Sequence, residues 1–154
     1  MTSEGHWHSA VVYQVYWRSF KDGNGDGIGD LKGLRSKIGY LSSLGVDAIW
    51  LNPTYPSPQG DHGYDVSNYF DVDPLFGTLE ELEQAIDEFH DHGMAVLLDI
   101  VPNHVSSQHP WFISAKEGGH GHVAESRFII RQGKGDSGGI PPNDWKSVFG
   151  GPAW

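Results

Sequence analysis

Hydrophobic positions along the chain follow two rhythms. Ala95-Val-Leu-Leu98 is an unbroken apolar run closed by Asp99, which reads as a strand buried in a parallel sheet rather than a half-solvated one. Ala48-Ile-Trp-Leu51 has the same character. Residues 11–17, Val-Val-Tyr-Gln-Val-Tyr-Trp, concentrate the β-branched and aromatic types that suit a pleated surface. Between these runs the period changes. Leu31, Leu34, Ile38 and Leu41 recur at helical spacing, with Asp30 as a candidate N-cap and Gly45 as the stop. Leu79, Leu82, Ile86 and Phe89 repeat that spacing behind a Thr78–Glu81 capping box, and Gly93 ends the helix. The order strand, helix, strand, helix, strand predicts a parallel α/β sheet with right-handed crossovers.

After His104 the texture changes to glycine, histidine and proline, with a helical stretch at Pro110–Lys116 and a strand candidate at Arg127–Arg131. The expected division is 1–104, carrying the sheet, and 105–154, an irregular excursion. Three parallel strands leave two open edges, and a closed barrel of eight takes about 250 residues. The 154 residues are therefore expected to be part of a larger architecture.

Apolar content of 38% and charged content of 19% describe a globular chain. Twenty acidic residues against ten basic give a net charge of −10, which argues against nucleic acid and anionic membranes as partners. There is no cysteine, hence no disulfide or thiolate metal site. No apolar stretch reaches membrane-spanning length and Met1–Trp7 lacks a signal-peptide pattern, so a cytoplasmic location is expected.

The polar residues of interest follow the strands. Asp99 ends an apolar run, where a carboxylate is costly unless paired or used, and Asn103-His104 lie on the same side. In barrels of alternating strands and helices, that end of the strands carries the chemistry. After strand one, Asp22-Gly-Asn-Gly-Asp-Gly-Ile-Gly-Asp30 places side-chain oxygens at positions 1, 3, 5 and 9, glycine at 6 and the Ile28 carbonyl at 7. This is the ligand order of an EF-hand loop, except that Gly33 stands where the bidentate Glu belongs and no helix precedes it. Asp22, Asn24, Asp26, Ile28 and Asp30 form a candidate hard-cation set, suited to Ca2+ with Mg2+ possible; a solvated turn capping a helix is the plainer reading. After strand two, Gln59 to Tyr69 mixes carboxylates, an imidazole and aromatics with glycines. Carboxylates accept hydrogen bonds from vicinal hydroxyls and aromatic faces cover sugar C–H surfaces, although mixed polar loops are common without a ligand. Asp99 and His104 alone make a weak metal site. The scattered His6, His8, His90, His92, His109, His120 and His122 are structural by default.

With these residues laid out, the chain resembles the α-amylase superfamily of glycoside hydrolases, most of all its α-glucosidase and oligo-1,6-glucosidase branch. The likeness rests on Tyr13–Phe20, Asp22–Asp30, Gly63-Tyr-Asp-Val66, Asp73–Thr78, Asp99–His104, Pro141–Trp145 and Phe149–Trp154. It implies the first three strands and two helices of a (β/α)8 TIM barrel, followed by the start of a small domain inserted after strand three. It implies that Asp22, Asn24, Asp26, the Ile28 carbonyl and Asp30 bind a structural calcium. It also implies that Asp61, Tyr64, Asp99 and His104 line a pocket for the terminal glucose of an α-gluco-oligosaccharide. Asn68 stands where the family usually has Asp. The family's retaining mechanism uses a nucleophile after strand four and an acid/base after strand five. No catalytic residue is therefore expected within residues 1–154, which should be inactive without the remainder of the enzyme. A glucosyl-transferring isomerase of trehalose or isomaltulose synthase type would look nearly the same here. A non-catalytic transporter heavy chain and a standalone calcium module are further alternatives.

Overall fold

A computed structural model of the chain describes residues 6–118 and 126–154; His120 and His122 lie outside the described residues. The elements in order are β1 Val12–Val15, α1 Trp17–Phe20, α2 Leu31–Arg35, α3 Ile38–Ser43, β2 Ala48–Leu51, α4 Leu79–Asp91, β3 Ala95–Leu98 and α5 Pro110–Glu117. The three strands form one parallel sheet in the order β1-β2-β3. Its register sets Val15, Leu51 and Leu98 abreast. Tyr16, Asn52 and Asp99 therefore leave the sheet at one end.

The predicted alternation is present, and its apolar positions meet in one core. Val15, Leu31, Leu34, Leu41, Ile49, Leu51 and Phe89 are fully buried, and Trp17 stacks on Phe76 with ring centroids 5.4 Å apart. The capping box opens α4: Thr78 Oγ1 accepts from the Glu81 N–H at 3.2 Å, and Glu81 Oε2 accepts from the Thr78 N–H at 2.8 Å. Arg35 on α2 donates to Glu88 and Gln84 on α4, tying the two helices together.

Four expectations are corrected. The helix anticipated from Leu31 through Leu41 is two, because the Ser36 hydroxyl donates to the Gly33 carbonyl at 2.6 Å. That carbonyl is the acceptor an α-helix would give to the Lys37 N–H, which bonds to Leu34 instead. Residues 11–17 supply only four strand residues, since Trp17 turns into α1 to bury its ring. β3 is not buried throughout: Leu97 and Leu98 are 37% and 45% exposed, because β3 is an edge strand among the described residues. Arg127–Arg131 is no strand; the Ile130 N–H folds back onto the Phe128 carbonyl at 3.2 Å instead of reaching a neighbouring chain.

The chain divides into two compact units, one ending at Pro110 and the other running Trp111–Trp154. Residues 105–110 hold to the first: the Ser106 N–H donates to the Val66 carbonyl, and Ser106 and His109 are buried. The second unit is irregular, with isolated bridges Lys134–Ile140 and Lys146–Pro152 and stacked Trp145 and Trp154. Among the described residues no helix is long and apolar enough to cross a membrane.

Candidate functional site at the strand ends

Asp99 emerges from β3 into a ring of donors. Trp50 Nε1 donates to its Oδ1 at 2.7 Å and the Tyr64 hydroxyl to its Oδ2 at 2.7 Å. The Tyr55 hydroxyl holds the Asp99 main-chain carbonyl at 3.1 Å. Tyr64 Oη accepts in turn from Asn52 Nδ2 at 2.9 Å, and Asn52 Oδ1 from Gln14 Nε2 at 3.1 Å. Burial, then the bond to Asp99 and its charge, push the Tyr64 phenol above its ordinary value; the Asn52 donor opposes them. A carboxylate whose two oxygens both accept such bonds is suited to orienting its neighbours and poorly placed to attack carbon.

His104 reaches the same group through the Tyr64 backbone. Its Nε2 lies 3.0 Å from the Tyr64 carbonyl, which can only accept, so Nε2 carries the proton. Nδ1 lies 2.6 Å from Asn103 Nδ2, its neighbour in the chain. Tyr64 thus joins Asp99 through its side chain and His104 through its backbone. Asp61 lies half-buried in the same loop and adds to the upward push on the Tyr64 phenol. Its carboxylate makes no hydrogen bond to another described residue, which leaves it open to a ligand.

The loop that carries these groups is gathered around Asp65. That carboxylate accepts from Ser57 Oγ at 2.6 Å, the Gly60 N–H at 2.9 Å and the Asp61 N–H at 3.2 Å. It helps hold Gln59 and His62 in left-handed backbone, at φ 60° and 53°. His62 Nδ1 meets the Tyr16 hydroxyl at 2.9 Å. Burial raises the Asp65 pKa, but the Ser57 and backbone bonds outweigh it and hold the group below its ordinary 3.8. Its stabilisation is therefore fully present above 3.8 and is lost as pH falls through the lower folded value. The urea midpoint should drop more steeply below about pH 4 in the parent than in Asp65→Asn; parallel profiles would count against this role.

The Asp22–Asp30 loop is folded onto its own amides. Asp22 accepts from the N–H groups of Asn24, Gly25 and Gly27 at 3.0, 2.6 and 2.8 Å. The Gly25 and Gly27 bonds hold its pKa below the ordinary value. Asp26 accepts from the Ile28 N–H at 2.8 Å and from Asn24 Nδ2 at 3.0 Å. Asp30 is buried and caps α2, accepting from the Gly33 and Gly23 N–H groups at 2.6 and 3.2 Å. These hard oxygen donors fit a calcium ion in kind. In the described residues they converge on amides, and no group of three His, Cys, Asp or Glu side chains is disposed around a metal position. The structure also accounts for Gly33: a Cβ there would stand 1.9 Å from the Lys21 carbonyl oxygen, so a Glu has no room.

Trp50, Asn52, Gln14 and Asp65 escaped the sequence reading. Asn52 had a usable signal, because it follows β2 as Asp99 follows β3.

Known proteins share this sequence and fold. A probable alpha-glucosidase of Rhizobium meliloti is 49% identical over 148 residues, 96% of this chain and 26% of the relative. A probable oligo-1,6-glucosidase of Bacillus subtilis is 47% identical over the same coverage. Among solved structures, a trehalulose synthase in complex with Tris superposes with a TM-score of 0.90 at 49% identity, covering 96% of this chain and 26% of that one. A Bacillus licheniformis trehalose-6-phosphate hydrolase gives 0.88 at 42% identity with the same coverage. The chain thus spans about a quarter of the length of these relatives. The parallel sheet matches the start of their barrels, and the alpha-amylase catalytic domain matches residues 14–154. This chain belongs to the alpha-amylase family.

Proposed function

We propose that the chain is part of a retaining α-glucosidase that releases terminal glucose from short α-linked gluco-oligosaccharides. One observation carries the reading: Asp61 stands open beside the Tyr64–Asp99–His104 cluster at the ends of parallel strands. Tyr64 offers a ring face to the terminal sugar, Asp61 accepts from its hydroxyls, and Asp99 and His104 orient the pocket. The nucleophile and acid/base are proposed to come from outside residues 1–154, with these residues inactive by themselves. A cytoplasmic location goes with this reading and with a cysteine-free composition.

Asp61→Ala in the active enzyme should raise KM for maltose by roughly tenfold to a hundredfold, the loss of one or two charge-assisted hydrogen bonds. Unchanged kinetics would remove the pocket assignment. The likeness to a trehalulose synthase favours a second reading, glucosyl transfer to make an isomer. Chromatography of the products from sucrose separates the two: glucose and fructose indicate hydrolysis, a new disaccharide indicates transfer.

We further propose that Asp22, Asn24, Asp26, the Ile28 carbonyl and Asp30 hold a structural Ca2+, with Mg2+ as the weaker fit. The ion would cross-link the β1–α2 connection. At a hundredfold excess of Ca2+ over its Kd, stability should rise by about 2.7 kcal/mol, and EDTA should reverse the gain. A melting temperature indifferent to both would refute the site.

A further inference from the structure

Resting on the glucose-pocket reading, we infer that Gln14 and Asn52 are positioning residues, forming a one-way hydrogen-bond relay that keeps the Tyr64 hydroxyl aimed at Asp99. The direction of every bond follows from the charge at its end. An ionised Asp99 only accepts, and the Trp50 indole at Oδ1 only donates. Tyr64 must therefore donate to Oδ2, which leaves its oxygen as an acceptor on the other side. Asn52 meets that need with Nδ2, and this turns its Oδ1 toward Gln14, which must present Nε2. Neither amide can flip without setting two donors or two acceptors face to face.

Asn52 is buried and pinned along its backbone as well. Its N–H donates to the Val15 carbonyl at 3.1 Å, and its carbonyl accepts from Trp17 Nε1 at 2.9 Å. With the backbone fixed, the side-chain amide is oriented from both ends, by the Tyr64 oxygen that takes its Nδ2 proton and by the Gln14 donor at its Oδ1. Gln14 is exposed on β1 and reaches Tyr64 only through Asn52. The relay thus runs across the sheet, from β1 past the end of β2 to the carboxylate after β3. A terminal glucose stacking on Tyr64 would meet a ring whose hydroxyl is already committed, with no rotational freedom left to lose on binding.

The test is a phenol titration of the whole active enzyme carrying 13Cζ-tyrosine, with the Tyr64 signal assigned through Tyr64→Phe. Asp99 and Asp61 both push this phenol up and the Asn52 bond pulls it down, so loss of that donor must raise its midpoint. Gln14→Met removes the donor at Asn52 Oδ1, loosening the amide and its bond to Tyr64, and adds no charge. Its Tyr64 midpoint should move to higher pH, and that of Asn52→Leu further in the same direction. If Asn52→Leu does not fold, the exposed Gln14 substitution decides alone. A Gln14→Met curve that overlays the parent's overturns the relay, since a role confined to holding the fold would leave the phenol unmoved. Maltose is added in a separate arm. A relay shift without any maltose response at Tyr64 sinks the glucose-pocket reading and leaves the relay intact.

Discussion

Asp99→Ala should lower kcat/KM of the proposed α-glucosidase on maltose by roughly a hundredfold to ten-thousandfold. The substitution strands two donors at once, the Trp50 indole and the Tyr64 hydroxyl, both bonded to the carboxylate at 2.7 Å. Hydrogen bonds to a charged group contribute about 1.5–3 kcal/mol each, so the pair accounts for about 3–6 kcal/mol, with a tenfold rate change for each 1.4 kcal/mol or so. The effect belongs to geometry rather than to nucleophilic attack. Asp99→Asn, which keeps the shape and one acceptor, should therefore recover part of the loss. Steady-state kinetics with circular dichroism on each variant would check this. Activity in Asp99→Ala within twofold of the parent would show that the cluster does not order the pocket.

The second large effect concerns stability. Gly33→Ala should cost about 3 kcal/mol or more, the upper part of the range for overpacked sites. The new Cβ would meet the Lys21 carbonyl oxygen at 1.9 Å and its carbon at 2.7 Å, and these are backbone atoms that cannot swing aside. Gly39 is the internal control. It is exposed in α3 and an added Cβ there meets nothing within 4 Å, so Gly39→Ala should stabilise by about 0.5–1 kcal/mol through helix propensity. Urea unfolding of the two variants beside the parent reads both signs. A Gly33→Ala midpoint equal to the parent's would mean the two segments separate without penalty.

The same glycine shows where sequence reading stops. Against the EF-hand order, Gly33 is a missing ligand; in the fold it is the only residue type that lets the Lys21 backbone lie against α2. The larger elements were legible because their signals are local: helical spacing from Leu79 to Phe89, a capping box, apolar runs ending at Leu51 and Leu98. The break between α2 and α3 was local too, but hidden in a single hydroxyl, that of Ser36. Exposure along β3 was not legible, since an apolar run looks the same in the middle of a sheet and at its edge. The site divides likewise. Asp99 and His104 drew notice from their place after strand three and Tyr64 from the family resemblance, and the three are joined in space. The bond from Gln14 to Asn52 spans 38 residues and depends on strand register, which periodicity does not supply. Asp65 resembled any other polar residue of its loop, and only its three donors distinguish it.

The order β1-β2-β3 also fixes how the cluster breathes. Among the described residues β2 has a hydrogen-bonded neighbour on both sides, while β3 has one. Local opening proceeds from elements with fewer shared bonds and less buried apolar surface. Trp50 and Asn52 therefore sit on or beside the strand whose amides are expected to exchange last among the three. Asp99, the carboxylate they organise around, follows the strand with one such neighbour among the described residues. The carboxylate thus depends for its alignment on two strands of unequal support, tied by the Trp50 indole to the better-held one.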